Sequence, residues 1–440
     1  MNSAWAEFWS PPVLSRFLSA HFRRNHRRAV AVVLLPLCWW TGGGGEASAQ
    51  EALRAANANA DATAAQHKAA NTQGYYNLKM GDLSLRFATG LGATYTDNAN
   101  LTPTKDPDEI FTPSLSTQLV WPVTDRNTLH LTMNVGYQYY VQNADLRQFY
   151  VTPGSEIAMN IYVGDFTFNV HERPSLYQYA YQNPAVTGSG NQSQLQNTVG
   201  VAGQWRLNKA VANFGYDHNN YWSLGGPTTS GQQDGSSEVV YASAGAYVQP
   251  ELQLGVQTGA GWIQYVQNQG LPNAFQWNAG GYGTYLLSQY LSFRGSAGYT
   301  VYAPEPSATA GTLPSTSGVY ADLALKHRIN EFLTYQIAAG RAVTVSFYGA
   351  PYENYFANLG MDWHLLHEIT LSTPFSYLHG TYLDSTQAPF DQFQAGLTLG
   401  RTLTEKLSGS LGYQYVRRYS SEDSGNYTVN TISLIFRYQF

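Results

Sequence analysis

His364, His367 and Glu368 put two imidazoles and a carboxylate close together, the side-chain set of a metal site. Their spacing works against it. Three positions apart on a strand, the two histidines point to opposite faces, and they read as turn residues. Asp106, Asp108 and Glu109 could offer oxygens to a calcium ion, although a solvated loop is the simpler reading. Gly280, Gly281 and Gly283 resemble a nucleotide-binding loop only superficially, because they lie inside an alternating strand pattern where glycine relieves crowding. No Gly-x-Ser-x-Gly nucleophile elbow occurs. The chain is therefore read as no enzyme, with no catalytic residue, cofactor site or metal site assigned.

The chemistry lies instead in residues that recur at every second position. One segment carries His130, Thr132, Asn134, Gln138 and Gln142; another carries Gln194, Gln196, Thr198, Gln204 and Arg206; a third carries Gln276, Asn278, Tyr282 and Thr284. Gln392, Gln394, Thr398, Gln414 and Arg418 follow, with Arg86, Arg294 and Arg437 scattered elsewhere. The alternate positions are aliphatic and aromatic. If those face lipid, the amides and hydroxyls face a lumen. Such groups match the many donors and acceptors of sugars. An ion-selective pore would show a ring of one charge sign, and none is legible. Any water-filled barrel also needs a polar lining, so the lining alone does not choose a solute.

The elements that position these residues are strands of an all-β, transmembrane, antiparallel up-and-down barrel. The last segment sets Ile432, Leu434, Phe436, Tyr438 and Phe440 against Ser433, Ile435, Arg437 and Gln439, a barrel strand ending on an aromatic residue. Phe436, Tyr438 and Phe440 are the expected signal to the barrel-assembly machinery. The first segment alternates through Leu83, Leu85, Phe87, Leu91, Ala93 and Tyr95. Between them, short turns near Asp125, Gly164, Asn208, Pro250, Ser288, Asn330, His367 and Thr404 alternate with longer Gly, Pro, Ser and Asn-rich connections, among them residues 173–193, 224–237, 303–317 and 380–389. That separates about eighteen strands, with sixteen as the alternative. The segment containing Val239, Tyr241 and Tyr247 is nearly as apolar in either register. Trp121, Trp205, Trp262 and Trp363 read as interfacial girdles.

Arg23, Arg24, Arg27 and Arg28 precede an apolar run from Ala29 to Trp40 and then Ala47, Ser48 and Ala49, the layout of a secretory signal peptide over 1–49. The stretch before the arginines is long for such a signal, so a start codon further downstream is an expectation. Cys38, the single cysteine, falls inside this segment, behind Leu37, which does not suit a lipoprotein cleavage site. Residues 50–76 read as a flexible periplasmic tail, and 77–440 as the barrel. Loss of five basic and two acidic residues with the signal moves the net charge from −5 to −8. Nothing basic remains to favour nucleic acid. Charged residues make up only 12% of the chain, about half the usual share, while tyrosine supplies 33 residues. A barrel tolerates this because its outer band faces lipid. The expected place is the outer membrane of a Gram-negative bacterium, among outer-membrane lipids and lipopolysaccharide.

Gly92, Ala93, Thr94, Tyr95, Thr96, Asp97 and Asn98, leading into Asn100 and Leu101, resemble the opening strand of the beta-barrel porin 2 family. The resemblance implies a signal peptide, a short tail, a barrel over the rest and a terminal Phe. It also implies export of an exopolysaccharide together with a periplasmic polysaccharide-export protein, and no catalytic residues. The side chains of Asp97 and Asn98 suit the first strand-to-loop exit, where such groups cap turning backbone. Polymer export is the leading functional expectation; a general or substrate-specific diffusion porin is the alternative, and a barrel enzyme such as a lipid A hydrolase a third.

Overall fold

A computed structural model describes residues 76–440 other than 179–192, 225–233, 267–271, 307–314, 346–350, 367 and 384–387. The expected signal peptide, nearly all of the expected tail, and His367 lie outside the described residues. The strands are β1 (Leu78–Met80), β2 (Leu83–Thr96), β3 (Asp108–Pro122), β4 (Thr128–Tyr140), β5 (Gln148–Val151), β6 (Glu156–Val163) and β7 (Phe166–Gln178). They continue as β8 (Ser193–Leu207), β9 (Ala210–Leu224), β10 (Gly235–Gln249), β11 (Leu252–Tyr265), β12 (Ala274–Leu286), β13 (Leu291–Pro304) and β14 (Thr316–Arg328). The last are β15 (Leu333–Val345), β16 (Pro351–Leu366), β17 (Ile369–Tyr382), β18 (Phe390–Thr402), β19 (Leu407–Ser420) and β20 (Tyr427–Gln439).

β1 is a stub folded back on β2, and β5 and β6 are two pieces of one stave, both antiparallel to β4 and to β7. The remaining strands pair with their sequence neighbours, and β2 pairs with β20 from Ala88↔Gln439 to Thr96↔Thr431. The result is a closed, antiparallel barrel of eighteen staves. Closure is what makes the fold possible in lipid. Each unpaired N–H or C=O in hydrocarbon would cost several kcal/mol, roughly, and a closed sheet has no edge. Among the described residues no helix is long and apolar enough to cross a membrane.

Period-two patterning decides which side each residue takes. On β10 the side chains of Val239, Tyr241 and Ser243 are buried, while Val240, Ala242 and Ala244 point outward and are exposed. This settles the register that was ambiguous in the sequence. Tyr241 can turn inward because Gly215 lies beside it on β9, where any Cβ would collide with the ring. Gly280 and Gly298 give way in the same manner to Tyr320. Pro174 marks no loop: β7 runs through it, paired with Asn197, as far as Gln178.

Leu91, Phe111, Leu254, Leu323, Leu359, Leu397, Leu411 and Leu434 are exposed on the outside. Trp121, Trp205 and Trp363 flank this apolar band toward the short-turn end, with Trp222, Trp262 and Trp277 toward the other, the girdle arrangement of a membrane barrel. Phe166 stacks on Trp205 with ring centroids 5.3 Å apart. Above the band near the long-loop end the outward face becomes polar. Arg341 meets Glu353 through two contacts of 2.8 Å, and Tyr377 and His379 both bond Asp391.

The register predicts an asymmetry that can be measured. Leu434 is outward, opposite Leu411 and Ala93, whereas Ser433 is inward, opposite Gly412 and Thr94. Leu434→Arg should cost on the order of 2 to 4 kcal/mol in a refolding titration into bilayers, and Ser433→Arg much less. Equal losses would mean that the faces are exchanged.

Candidate functional site

The interior begins with how the first two long-end connections leave the wall. After Thr96 the chain does not project outward. Asp97 accepts the Asn430 backbone N–H through Oδ1 and the Asn430 amide through Oδ2, both at 2.7 Å, and its own N–H donates to the Asn430 carbonyl. Asn98 is fully buried. Its Nδ2 donates to the carbonyls of Thr102 and Thr428, and its Oδ1 accepts the Thr102 N–H. Both side chains therefore hold turning backbone, the Asx behaviour that suits them to this exit.

Leu101 then adopts a left-handed backbone, φ 55°, which a leucine normally avoids. Its side chain is 2% exposed, packed with Tyr427 and Val429 of β20, and Val416 of β19 and Tyr177 of β7 close around it. All four partners lie on inward positions of their strands. From β20 to β7 the wall crosses five stave intervals, roughly 24 Å at the usual strand spacing. A cluster built on Leu101 and β20 can be reached by Tyr177 of β7 only from inside the barrel. Residues 97–107 thus form a strap across part of the lumen.

The connection after β4 folds against the strap. Leu146 and Ala99 are buried with the inward-facing Ile110 and Tyr140. Asp108 accepts the N–H groups of Val141, Gln142 and Asn143 at 2.8 to 3.0 Å, plus the Asn143 amide. Asp106 accepts the Asn100 amide. Of the acids weighed as calcium ligands, Asp106 and Asp108 are thus used in shaping the two loops, and no cluster of three metal-ligating side chains occurs among the described residues. His364 bonds Thr370.

The polar residues singled out in the sequence divide into groups by place. Gln204, Arg206, Tyr282 and Arg294 line one cavity of about 370 Å³. His130, Gln276 and Asn278 are buried, at 5%, 1% and 3% exposure. His130 lies opposite Ala158, Gln276 opposite Gly261 and Tyr302, and Asn278 opposite Gly259 and Thr300. Asn134 accepts from Ser116, Gln138 from Gln148, and Gln196 donates to Gln194. Gln394 pairs with Val416 and Ser376; Gln414 pairs with Gly396 and Thr431. Arg437 is exposed, three places from the end of β20, and Phe436, Tyr438 and Phe440 are exposed on the outside.

Two features were not visible in the linear sequence. The inward-facing acids have local partners: Glu156 pairs with Arg173 at 2.9 Å, Asp217 with His171 at 3.0 Å, and Ser296 and Ser372 donate to Asp322 and Asp362. The basic residues that looked scattered collect near the short-turn ends of their strands: Arg86, Arg206, Arg294, Lys326 and Arg437. Arg86 donates to Gln439 and Arg206 to Gln204, both amides. The inward Asp362, opposite Thr334 near the start of β15, lies at the same end, so these cations form a patch and not a ring of one sign. Residues on five different strands, far apart in sequence, come to one end only when the barrel closes.

No protein-family model matches the chain, and no curated protein sequence matches it. The likeness to the beta-barrel porin 2 family therefore remains a resemblance of the opening strand. Solved structures give weak matches. OpdL of Pseudomonas aeruginosa is 12% identical, with 82% of this chain and 99% of that one covered and a TM-score of 0.46. OccAB3 of Acinetobacter baumannii is 11% identical, with 82% and 100% covered and a TM-score of 0.47. OccK2 (OpdF) of Pseudomonas aeruginosa, in complex with glucuronate, is 13% identical, with 82% and 99% covered and a TM-score of 0.47. At these scores the likeness supports no functional argument, and the barrel stands on its own strand pairing.

The strap yields a pH test. Burial pulls the Asp97 carboxyl upward, but bonds from Lys105 and from the Asn430 backbone and side chain outweigh it and hold the group below 3.8. A depressed carboxyl stabilises the folded arrangement above its unfolded value, and that contribution is lost as pH falls through the lower folded value. The strap should stay seated at neutral pH and loosen only below 3.8. Single-channel conductance of reconstituted barrels should then rise in acid, and Asp97→Ala should already show the higher level at pH 7.

Proposed function

We propose that this protein is a passive outer-membrane diffusion channel for small polar solutes. The observation that supports it best is the strap, whose Leu101 joins Tyr427 and Val429 of β20 in a cluster that Val416 of β19 and Tyr177 of β7 pack against. A polymer conduit needs a continuous wide bore. Here two connections fold inward and pack on each other through Ala99, Ile110, Tyr140 and Leu146, a layout suited to sieving by size. A lining of amides, hydroxyls and partnered acids supports passage of hydrated solutes without supplying a nucleophile or an activated base.

In this reading the short turns lie in the periplasm, the apolar band contacts outer-membrane lipids, and Phe436, Tyr438 and Phe440 present an outward aromatic strand end to the assembly machinery. The polymer-export reading inferred from the opening strand has less support, since the short motif it rests on is engaged in anchoring the strap.

Liposomes carrying the purified barrel should swell in monosaccharide solutions and fail to swell in large oligosaccharides. Replacing residues 99–105 by a short Gly-Ser linker should raise both the size limit and the conductance. A clean gene deletion should lower uptake of a small solute and leave surface polysaccharide intact. Loss of polysaccharide with unchanged uptake would restore the export reading.

A further inference from the structure

The cavity beneath Arg206 and Arg294 has a construction that a sieve alone does not require. Arg206 sits near the short-turn end of β8 and Arg294 near that of β13, and the cavity of about 370 Å³ spans the wall between them. Its floor is aromatic. The Tyr282 ring lies across Gly255 of β11 and reaches Gly245 of β10; a Cβ at Gly255 would come within 2.5 Å of the ring. Any larger residue at either glycine would push the ring into the cavity. Gln204, Asn213 and Gln257 add amides to the rim.

The charge pattern points to the occupant. Among the described residues neither arginine forms an ion pair and no carboxylate lines the cavity; Arg206 donates to Gln204, an uncharged partner, at 2.6 Å. Lys326, opposite Ser292, adds a third cation one strand beyond Arg294. Asp322, inward on β14 opposite Ser296, accepts the Ser296 hydroxyl, while Asp217 meets His171 and Glu156 meets Arg173. A guanidinium offers a planar fork of donors that matches an oxyanion, and field lines focus inside a low-dielectric wall. We propose that this recess is a binding subsite for a small oxyanion, a carboxylate or a phosphate, making the channel anion-selective even though the whole chain carries −5. The proposal rests on the diffusion-channel reading and names its solute class.

Two measurements on the full barrel test it independently. In planar bilayers under a KCl gradient, the wild type should favour chloride. Arg206→Gln with Arg294→Gln should shift the reversal potential toward the cation side, with at least a several-fold drop in the anion-to-cation permeability ratio. Lys209→Gln, on the neighbouring turn outside the cavity lining, should leave it unchanged. In detergent micelles, succinate should show proton saturation transfer and inorganic phosphate should show phosphorus line broadening, and both signals should fall about tenfold in the double variant. Heat-modifiable migration of each variant checks that it is folded. A response to succinate alone assigns the recess to carboxylates; a response to both assigns it to oxyanions in general. A conducting barrel whose selectivity and ligand signals match between wild type and double variant overturns the recess and leaves the diffusion channel standing. A barrel that binds the anions but does not conduct supports the recess and overturns the channel.

Discussion

Everything in this molecule depends on the hydrogen-bonded seam between β2 and β20. Until those strands meet, a long sheet carries two unpaired edges, and in lipid each open N–H and C=O is prohibitively costly. The seam is secured at both ends by side chains. At the short-turn end Arg86 donates to Gln439, the Phe440 N–H bonds the Phe87 carbonyl, and Asn77 binds both the Phe87 N–H and the Phe440 carbonyl. At the other end Asp97 and Asn98 clasp the backbone of Thr428 and Asn430. The residues that close the barrel therefore also launch the strap. Closure and narrowing of the lumen are one arrangement, and damage to the Asp97 clasp acts on both.

The interior shows a second economy of construction. An eighteen-stave barrel has room for large inward aromatics, but rings projecting radially would obstruct it. Tyr241, Tyr282, Tyr320 and Phe390 instead lie against glycines on neighbouring strands, Gly215, Gly255, Gly298 and Gly380. Glycine in a strand interior sacrifices packing and backbone order. That cost is offset where a ring covers the gap. The high tyrosine content and the many glycines are thus two halves of one pattern: the ring restores apolar contact over the bare backbone and keeps the bore clear.

Much of the fold was legible because the side-chain period of a strand is two and the chain keeps it. Eighteen staves, their short turns at Gly164 and Asn208, and the outward tryptophans all follow from alternation and turn residues. Two things resisted. β10 places Val and Ser on both faces, and Gly215 on its neighbour makes the room in which Tyr241 turns inward. Pro174 reads as a strand breaker, yet β7 continues through it. The strap was half legible: Asp97 and Asn98 announce a capped exit, but nothing local says that Leu101 will meet Tyr177, a contact made by closure. The pairing of Arg206 with Arg294 was illegible for the same reason, since the two become neighbours of one cavity only through four intervening staves.

The direction in which the charges are distributed bears on how such a channel would select. Fields inside a pore are set by the groups that line it and by how far each is already neutralised, whereas net charge counts surface residues that solvent and salt screen within about 8 to 10 Å. In this barrel Glu156 is countered by Arg173, Asp217, Asp322 and Asp362 meet His171 and two serine hydroxyls, and the recess lined by Arg206 and Arg294 holds no carboxylate. Arg206 meets only an amide dipole, which leaves most of its field directed into the bore. An acidic protein can therefore present a basic recess. The strap sits toward the opposite end from these cations, so the proposed channel would test size at one mouth and charge at the other. Two filters in series let each be simple: the first need only exclude bulk, because whatever passes it is met by a wall already ordered to recognise sign.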